Sequence, residues 1–223
     1  MKKLKRILPL LIAALFMPIA MTSCLNSDDD NNQLSDEQIK NAITTMSGNY
    51  RGKLYFYDTK KEELQNKNYN DSIENISVKF NYPESAYVIY DFPARLLFKT
   101  IDNHADLKEA VEEEYIDLKI KYVPYQVAGL QIYYYMQPET VSMNLYYGGT
   151  NHDIKVAFLL NTMGVYFKNS SKEYQDLQLV EGAIYDGTDS NGQPQLLDGK
   201  PLYSTSMSDK EAKSILFEFF GNK

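Results

Sequence analysis

The chain has 223 residues, 43% of them hydrophobic, and carries 23 Lys and Arg against 30 Asp and Glu for a formal net charge of −7. That length suits one generous β-domain or two small ones, and one main core is expected. The acidic balance repels phosphate backbones and anionic lipid heads, which excludes nucleic acid as a partner, and a single cysteine, Cys24, excludes an internal disulfide.

The first segment reads as a leader. Lys2, Lys3, Lys5 and Arg6 precede an apolar stretch from Ile7 to Met21, broken by Pro9 and Pro18, and the small Ser23 stands before Cys24. A spanning helix needs about 20 apolar residues, so residues 1–23 are expected to be a cleaved secretion signal. The arrangement resembles a bacterial lipoprotein signal, with Met21 where leucine is usual, and the resemblance implies lipidation at Cys24 and attachment to the membrane through that lipid. Ser27, Asp28, Asp29 and Asp30 resemble the export signal that carries Bacteroidetes lipoproteins to the cell surface, which implies a surface-exposed outer membrane protein. Loss of the leader moves the formal charge to −11. With Cys24 lipidated, the body keeps no thiol for a zinc site or a nucleophile, and no cofactor is expected.

Residues 24–34, rich in Asn, Asp and Ser, read as a flexible acidic tether, and residues 35–223 as a single β-rich domain. Ser35 and Gln38 form a capping box before Ile39, Ala42, Ile43 and Met46, which share one face of a helix ended by Gly48. The period then becomes two. Tyr50, Gly52, Leu54 and Phe56 alternate with polar neighbours, a polar loop runs from Asp58 to Asp71, and strands follow at Ile73–Phe80 and Ala86–Phe92, the latter closed by Pro93. Asn103 caps a predicted short helix through Glu113. The clearest strand places Ile116, Leu118, Ile120 and Tyr122 on one face and Asp117, Lys119 and Lys121 on the other. Further strands are expected at Gly129–Met136, Val141–Tyr147, Ile154–Leu160, Val165–Lys168 and Leu177–Ile184. Ser208 and Glu211 form a second capping box, and Ala212, Ile215, Leu216, Phe219 and Phe220 predict a C-terminal helix.

This pattern predicts a mainly β (α+β) fold, an antiparallel sandwich or barrel with an N-terminal, a short middle and a C-terminal helix. The segments Gly48-Asn49-Tyr50-Arg51-Gly52-Lys53-Leu54 and Tyr90-Asp91-Phe92-Pro93 resemble features of uncharacterised Bacteroidetes lipoproteins, some of them lipocalin-like or calycin-like barrels. The resemblance implies a barrel and assigns no chemistry.

Candidate chemistry is sparse. His104, near Asp102 and Asp106, and His152, beside Asp153, lack a second histidine at ligand spacing and read as surface or capping residues. Glu112, Glu113 and Glu114 offer carboxylates, but neighbours on a helix diverge, and a solvated face is expected rather than a glycosidase pair. No nucleophile elbow, phosphate loop or zinc-protease motif occurs, so no catalytic residue is assigned. Asp189, Asn191 and Asp198 match part of a calcium loop with Gly192 at its turn, yet Gly187 fills the first ligand place and turn chemistry alone explains the segment. Asp71-Ser72-Ile73 resembles the O-glycosylation motif of exported Bacteroidetes proteins, which implies a sugar on Ser72. The 19 tyrosines are expected at half-buried sheet positions with wet hydroxyls, or on an exposed aromatic platform. The expected function is that of a lipid-anchored binding module for a glycan, a peptide or a small apolar molecule. The alternatives are a structural lipoprotein docking on another envelope protein and, third, a hydrolase.

Overall fold

A computed structural model describes residues 33–60, 71–101, 103–197 and 213–223. The predicted signal, nearly all of the tether, Asp198 and the second capping box lie outside the described residues. Leu34–Lys223 forms one compact unit.

The first helix, α1 (Asp36–Met46), starts as its sequence dictates: the Gln38 amide donates to Ser35 Oγ at 3.3 Å, and the Ser35 amide donates to Gln38 Oε1 at 2.8 Å. It buries Ala42, Ile43 and Met46 and packs against a strand of the sheet that follows. The strands are β1 (Gly48–Lys60), β2 (Asp71–Asn81), β3 (Ala86–Pro93), β4 (Tyr115–Ala128), β5 (Gln131–Pro138), β6 (Val141–Tyr147), β7 (Thr150–Phe158), β8 (Thr162–Asn169), β9 (Lys172–Thr188), β10 (Pro194–Leu196) and β11 (Lys213–Asn222). Between β3 and β4 lie a 3-10 helix, Ala94–Phe98, and α2 (Ala105–Ala110), shorter than the predicted middle helix. The strand that packs on α1 is β4.

Strands β1, β2, β3, β4, β5, β8, β9 and β11 pair in that order, and β11 returns to β1, so eight antiparallel strands close into a barrel. Closure settles barrel against sandwich. The predicted C-terminal helix is corrected: Lys213–Asn222 is a strand, inserted between Arg51–Lys60 of β1 and Tyr174–Val180 of β9. Ile215, Phe217 and Phe219 are fully buried. An aromatic, β-branched segment that satisfies both periods goes to the sheet when it alone can saturate two open edges.

One end of the barrel holds α1, the start of β1 and the β4–β5 turn. The other is capped by the 3-10 helix and α2. The interior is apolar while Asp117, Lys119 and Lys121 face outward from β4, the reverse of a membrane-spanning barrel. Among the described residues no helix is long and apolar enough to cross a membrane. Past the barrel, the end of β9 pairs with β7 and β10, and β6 adds to β7, making a smaller sheet.

The lumen is filled by side chains, as an eight-stranded barrel permits. Tyr50, Tyr87, Tyr122, Tyr134 and Phe80 are buried and touch ring to ring, Phe80 stacking on Tyr87 at 4.6 Å. These tyrosines therefore fill a core instead of reaching water. Gly164 makes the room, since a Cβ there would collide with the Tyr134 ring. Burial is met by partners: Tyr50 donates to the Met46 carbonyl at 2.7 Å, Tyr87 to Met136 Sδ at 2.8 Å and Tyr134 to Gln175 Oε1 at 2.8 Å. The Tyr122 hydroxyl has no partner among the described residues. Desolvation raises the pKa of all four, and that of Tyr166 to about 12. Tyr122→Phe is expected to stabilise the protein by roughly 1 kcal/mol, because it removes an orphaned hydroxyl, whereas Tyr134→Phe should cost about as much by stranding Gln175. Urea midpoints of the two variants moving in the same direction would contradict this.

Candidate functional site

A concavity lies at the capped end of the barrel. Phe56 of β1 and Ile73 of β2 meet Leu96, Phe98 and Val111 in an apolar floor, and the cleft encloses about 360 Å³. Arg95, Lys99, Lys108 and Glu112 form its rim. The local fold places them: Arg95 and Lys99 are four residues apart across the 3-10 helix, and Lys108 stands in the last turn of α2. Lys99 Nζ lies 4.5 Å from the Phe56 ring centroid, a cation–π contact. Arg95 Nε approaches Glu112 Oε1 at 4.0 Å, and its guanidinium donates to the Glu112 carbonyl at 3.5 Å. Among the described residues that line the cleft, three are cations and one is a carboxylate, in a chain of net charge −7. Such a surface attracts an anionic head and accepts an apolar body.

A second cluster lies on the smaller sheet. Asp186 Oδ2 accepts from His152 Nδ1 at 2.7 Å and from the Tyr147 hydroxyl at 2.9 Å, and the His152 and Tyr147 rings stack at 3.7 Å. Three strands are joined in this way, β6 through Tyr147, β7 through His152 and β9 through Asp186. Against a carboxylate oxygen, Nδ1 is the donating nitrogen of the ring. An oriented imidazole is half of a hydrolytic triad. The cluster ties the β6–β7 hairpin to β9, a clamp across three strands. His152 lies within β7 and is partnered, so it is not a capping residue. His152 and Asp186 are 34 apart in sequence, and no spacing rule brings them together.

The other candidates fall apart from one another. His104 occupies the N-cap of α2 without a side-chain capping bond. Of the three glutamates, Glu112 reaches the cleft rim, while Glu113 and Glu114 are exposed. Asp189 Oδ1 accepts from the amides of Asn191 and Gln193, both at 2.8 Å, which is the turn chemistry expected of this segment. Among the described residues no cluster of three His, Cys, Asp or Glu could hold a metal ion. Ser72 stands in β2 opposite Tyr55, at the start of a strand instead of in the loop. Charge alone does not single out the cleft cations in the sequence, because Arg95, Lys99 and Lys108 share their span with Asp102 and Asp106.

Compared with known proteins, residues 45–185 match the model of a family described as a domain of unknown function (DUF4840). No curated protein and no solved structure matches the chain.

Proposed function

The chain belongs to the DUF4840 family, whose description assigns no chemistry, and we propose that it is a lipid-anchored envelope protein that binds an amphipathic anion in the cleft at the capped end of its barrel. The observation that carries this reading is the cleft itself, with Arg95, Lys99 and Lys108 around a floor of Phe56, Leu96 and Phe98. A volume of about 360 Å³ suits a small ligand, and the rim gives orientation by charge while the floor gives affinity by burial. The anchor is supported by the basic and apolar leader that ends at Ser23-Cys24, and display at the surface by the acidic run Ser27 to Asp30.

Two experiments test the two halves of the reading. Metabolic labelling with a palmitate analogue should mark the wild type and not Cys24→Ala; equal labelling sinks the anchor. For the cleft, calorimetry on the compact unit from Leu34 onward should show dodecanoate binding more tightly than dodecanol, with an affinity that falls as salt rises. Arg95→Ala with Lys99→Ala should weaken dodecanoate about tenfold, the effect of roughly 1.4 kcal/mol, and leave dodecanol nearly unchanged. Equal binding of acid and alcohol by both proteins would remove the anionic ligand from consideration.

A further inference from the structure

From Tyr122 to Pro138 the chain carries no charged side chain, although 24% of all its residues are charged. This run forms the end of β4 and the whole of β5. Alternation along β5 sends Ile132, Tyr134 and Met136 into the core and turns Gln131, Tyr133, Tyr135 and Gln137 outward. A bulge adds to the outer wall: Pro124 pairs with Tyr134 and Gln126 with Tyr133, so Tyr125 is an extra residue on β4. Its ring stacks on Tyr135 at 4.2 Å and lies 6.3 Å from that of Tyr133, and its hydroxyl donates to Met163 Sδ at 3.3 Å. Gln126 is exposed opposite Tyr133, Val123 is exposed opposite Tyr135, and the Tyr133 hydroxyl donates to Gln131 Oε1 at 2.6 Å. Three half-buried rings thus adjoin one another, each held by a neighbour, with amides set among them. From Gln131 to Gln137 the wall extends on the order of 20 Å.

Composition selects the ligand. An anion or a cation finds no opposite charge between Tyr122 and Pro138. An acyl layer would strip water from the exposed amides of Gln126, Gln131 and Gln137 and return no hydrogen bond. A protein interface sets an apolar centre inside a polar rim, whereas here the amides stand among the rings, Gln126 opposite Tyr133 and Gln131 bonded to it. A neutral, polyhydroxylated ligand fits this mixture: the C–H faces of a sugar cover aromatic rings, and a primary amide, which both donates and accepts, answers hydroxyls that do the same. In the Tyr133–Gln131 pair the phenol oxygen can still accept and the amide nitrogen can still donate. Because their contacts fix the tyrosines before a ligand arrives, little rotamer freedom is lost on binding. We infer that the outer wall of β4 and β5 binds a neutral oligosaccharide, which lies along β5 over Tyr125, Tyr133 and Tyr135. This site shares no residue with the cleft and does not rest on the ligand proposed there.

Maltohexaose, cellohexaose, xylohexaose and mannohexaose serve as probes in calorimetry on the chain from residue 24 carrying Cys24→Ala. At least one of them should bind, with the same affinity at about 50 and about 500 mM salt, since no charge takes part. Tyr133→Ala with Gln126→Ala should weaken that binding about tenfold or more. Tyr133→Phe keeps the ring and its packing and removes only the hydroxyl, so its expected loss of about threefold cannot be ascribed to unfolding. Unchanged affinity in both variants overturns the inference, and so does an affinity that falls steeply with salt. Failure of all four hexasaccharides to bind the wild type overturns it as well. If an envelope protein is then retained by the wild type and released by Tyr133→Ala with Gln126→Ala, the wall docks a protein instead of a glycan.

Discussion

Leu118→Asp is expected to cost about 3 to 5 kcal/mol or more, a large part of the stability of an ordinary domain, whereas Lys119→Asp should change stability by about 0.5 kcal/mol or less. The two residues are neighbours on β4 and differ only in the face they present. Leu118 is 2% exposed and sits opposite Ile89 of β3, with Ile120 next on the same face fully buried. An aspartate there would have to be buried without a partner or protonated, and both are costly. Lys119 points outward opposite Val88 and is exposed. Urea midpoints decide the matter: equal losses in the two variants would mean that β4 does not present alternate residues to the lumen. The Leu118→Asp deficit should also shrink toward pH 4, where the introduced carboxyl accepts a proton.

The same strand shows what local pattern can reveal. Alternation from Ile116 to Tyr122 is legible because one wet and one dry face demand period two, and the capping box at Ser35 is legible because it answers orphaned amides within four residues. The segment at Lys213–Asn222 was not legible. Ile215, Leu216, Phe219 and Phe220 satisfy a helical stripe, Ile215, Phe217 and Phe219 satisfy a strand, and the choice is made by the edges of β1 and β9, which are far away in sequence. The tyrosines mislead for a related reason. Composition gives their number, but only barrel closure turns Tyr50, Tyr87, Tyr122 and Tyr134 toward a common lumen.

Less of the candidate site was legible. Arg95, Lys99 and Lys108 are close in sequence, so their charge could be noticed, but the floor beneath them needs Phe56 and Ile73 from two other strands. The Asp186–His152 pair depends on the register of β7 with β9, in which Ile154 lies opposite Asp186.

The second large effect concerns Glu181, a position that pattern alone places among the interior residues of β9. It is fully buried, and among the described residues both carboxylate oxygens lack a hydrogen-bond partner. It stands where β9 leaves the barrel and takes β7 as its neighbour, opposite Phe158 and beside a register shift. Desolvation pushes its pKa well above the usual carboxylate value. The sign then follows from proton counting. Between the unfolded pKa, about 4.3, and the raised folded one, the folded state holds a proton that the unfolded state has released, so stability falls as pH rises through that window. The penalty is absent below it and constant above it. Glu181→Gln removes this titration, and the wild type should therefore lose about 1.4 kcal/mol per pH unit relative to that variant on going upward from about pH 5. Glu181→Leu should go further and raise stability at pH 7 by about 2 kcal/mol or more, since it also removes the unpaired polar atoms. Denaturation midpoints of the three proteins at several pH values between 5 and 8 measure this, with titrations common to all of them cancelling in the differences. A gap between wild type and Glu181→Gln that does not change with pH would mean that the carboxyl titrates as it does in the unfolded chain, and that the junction of β9 with β7 is open to water.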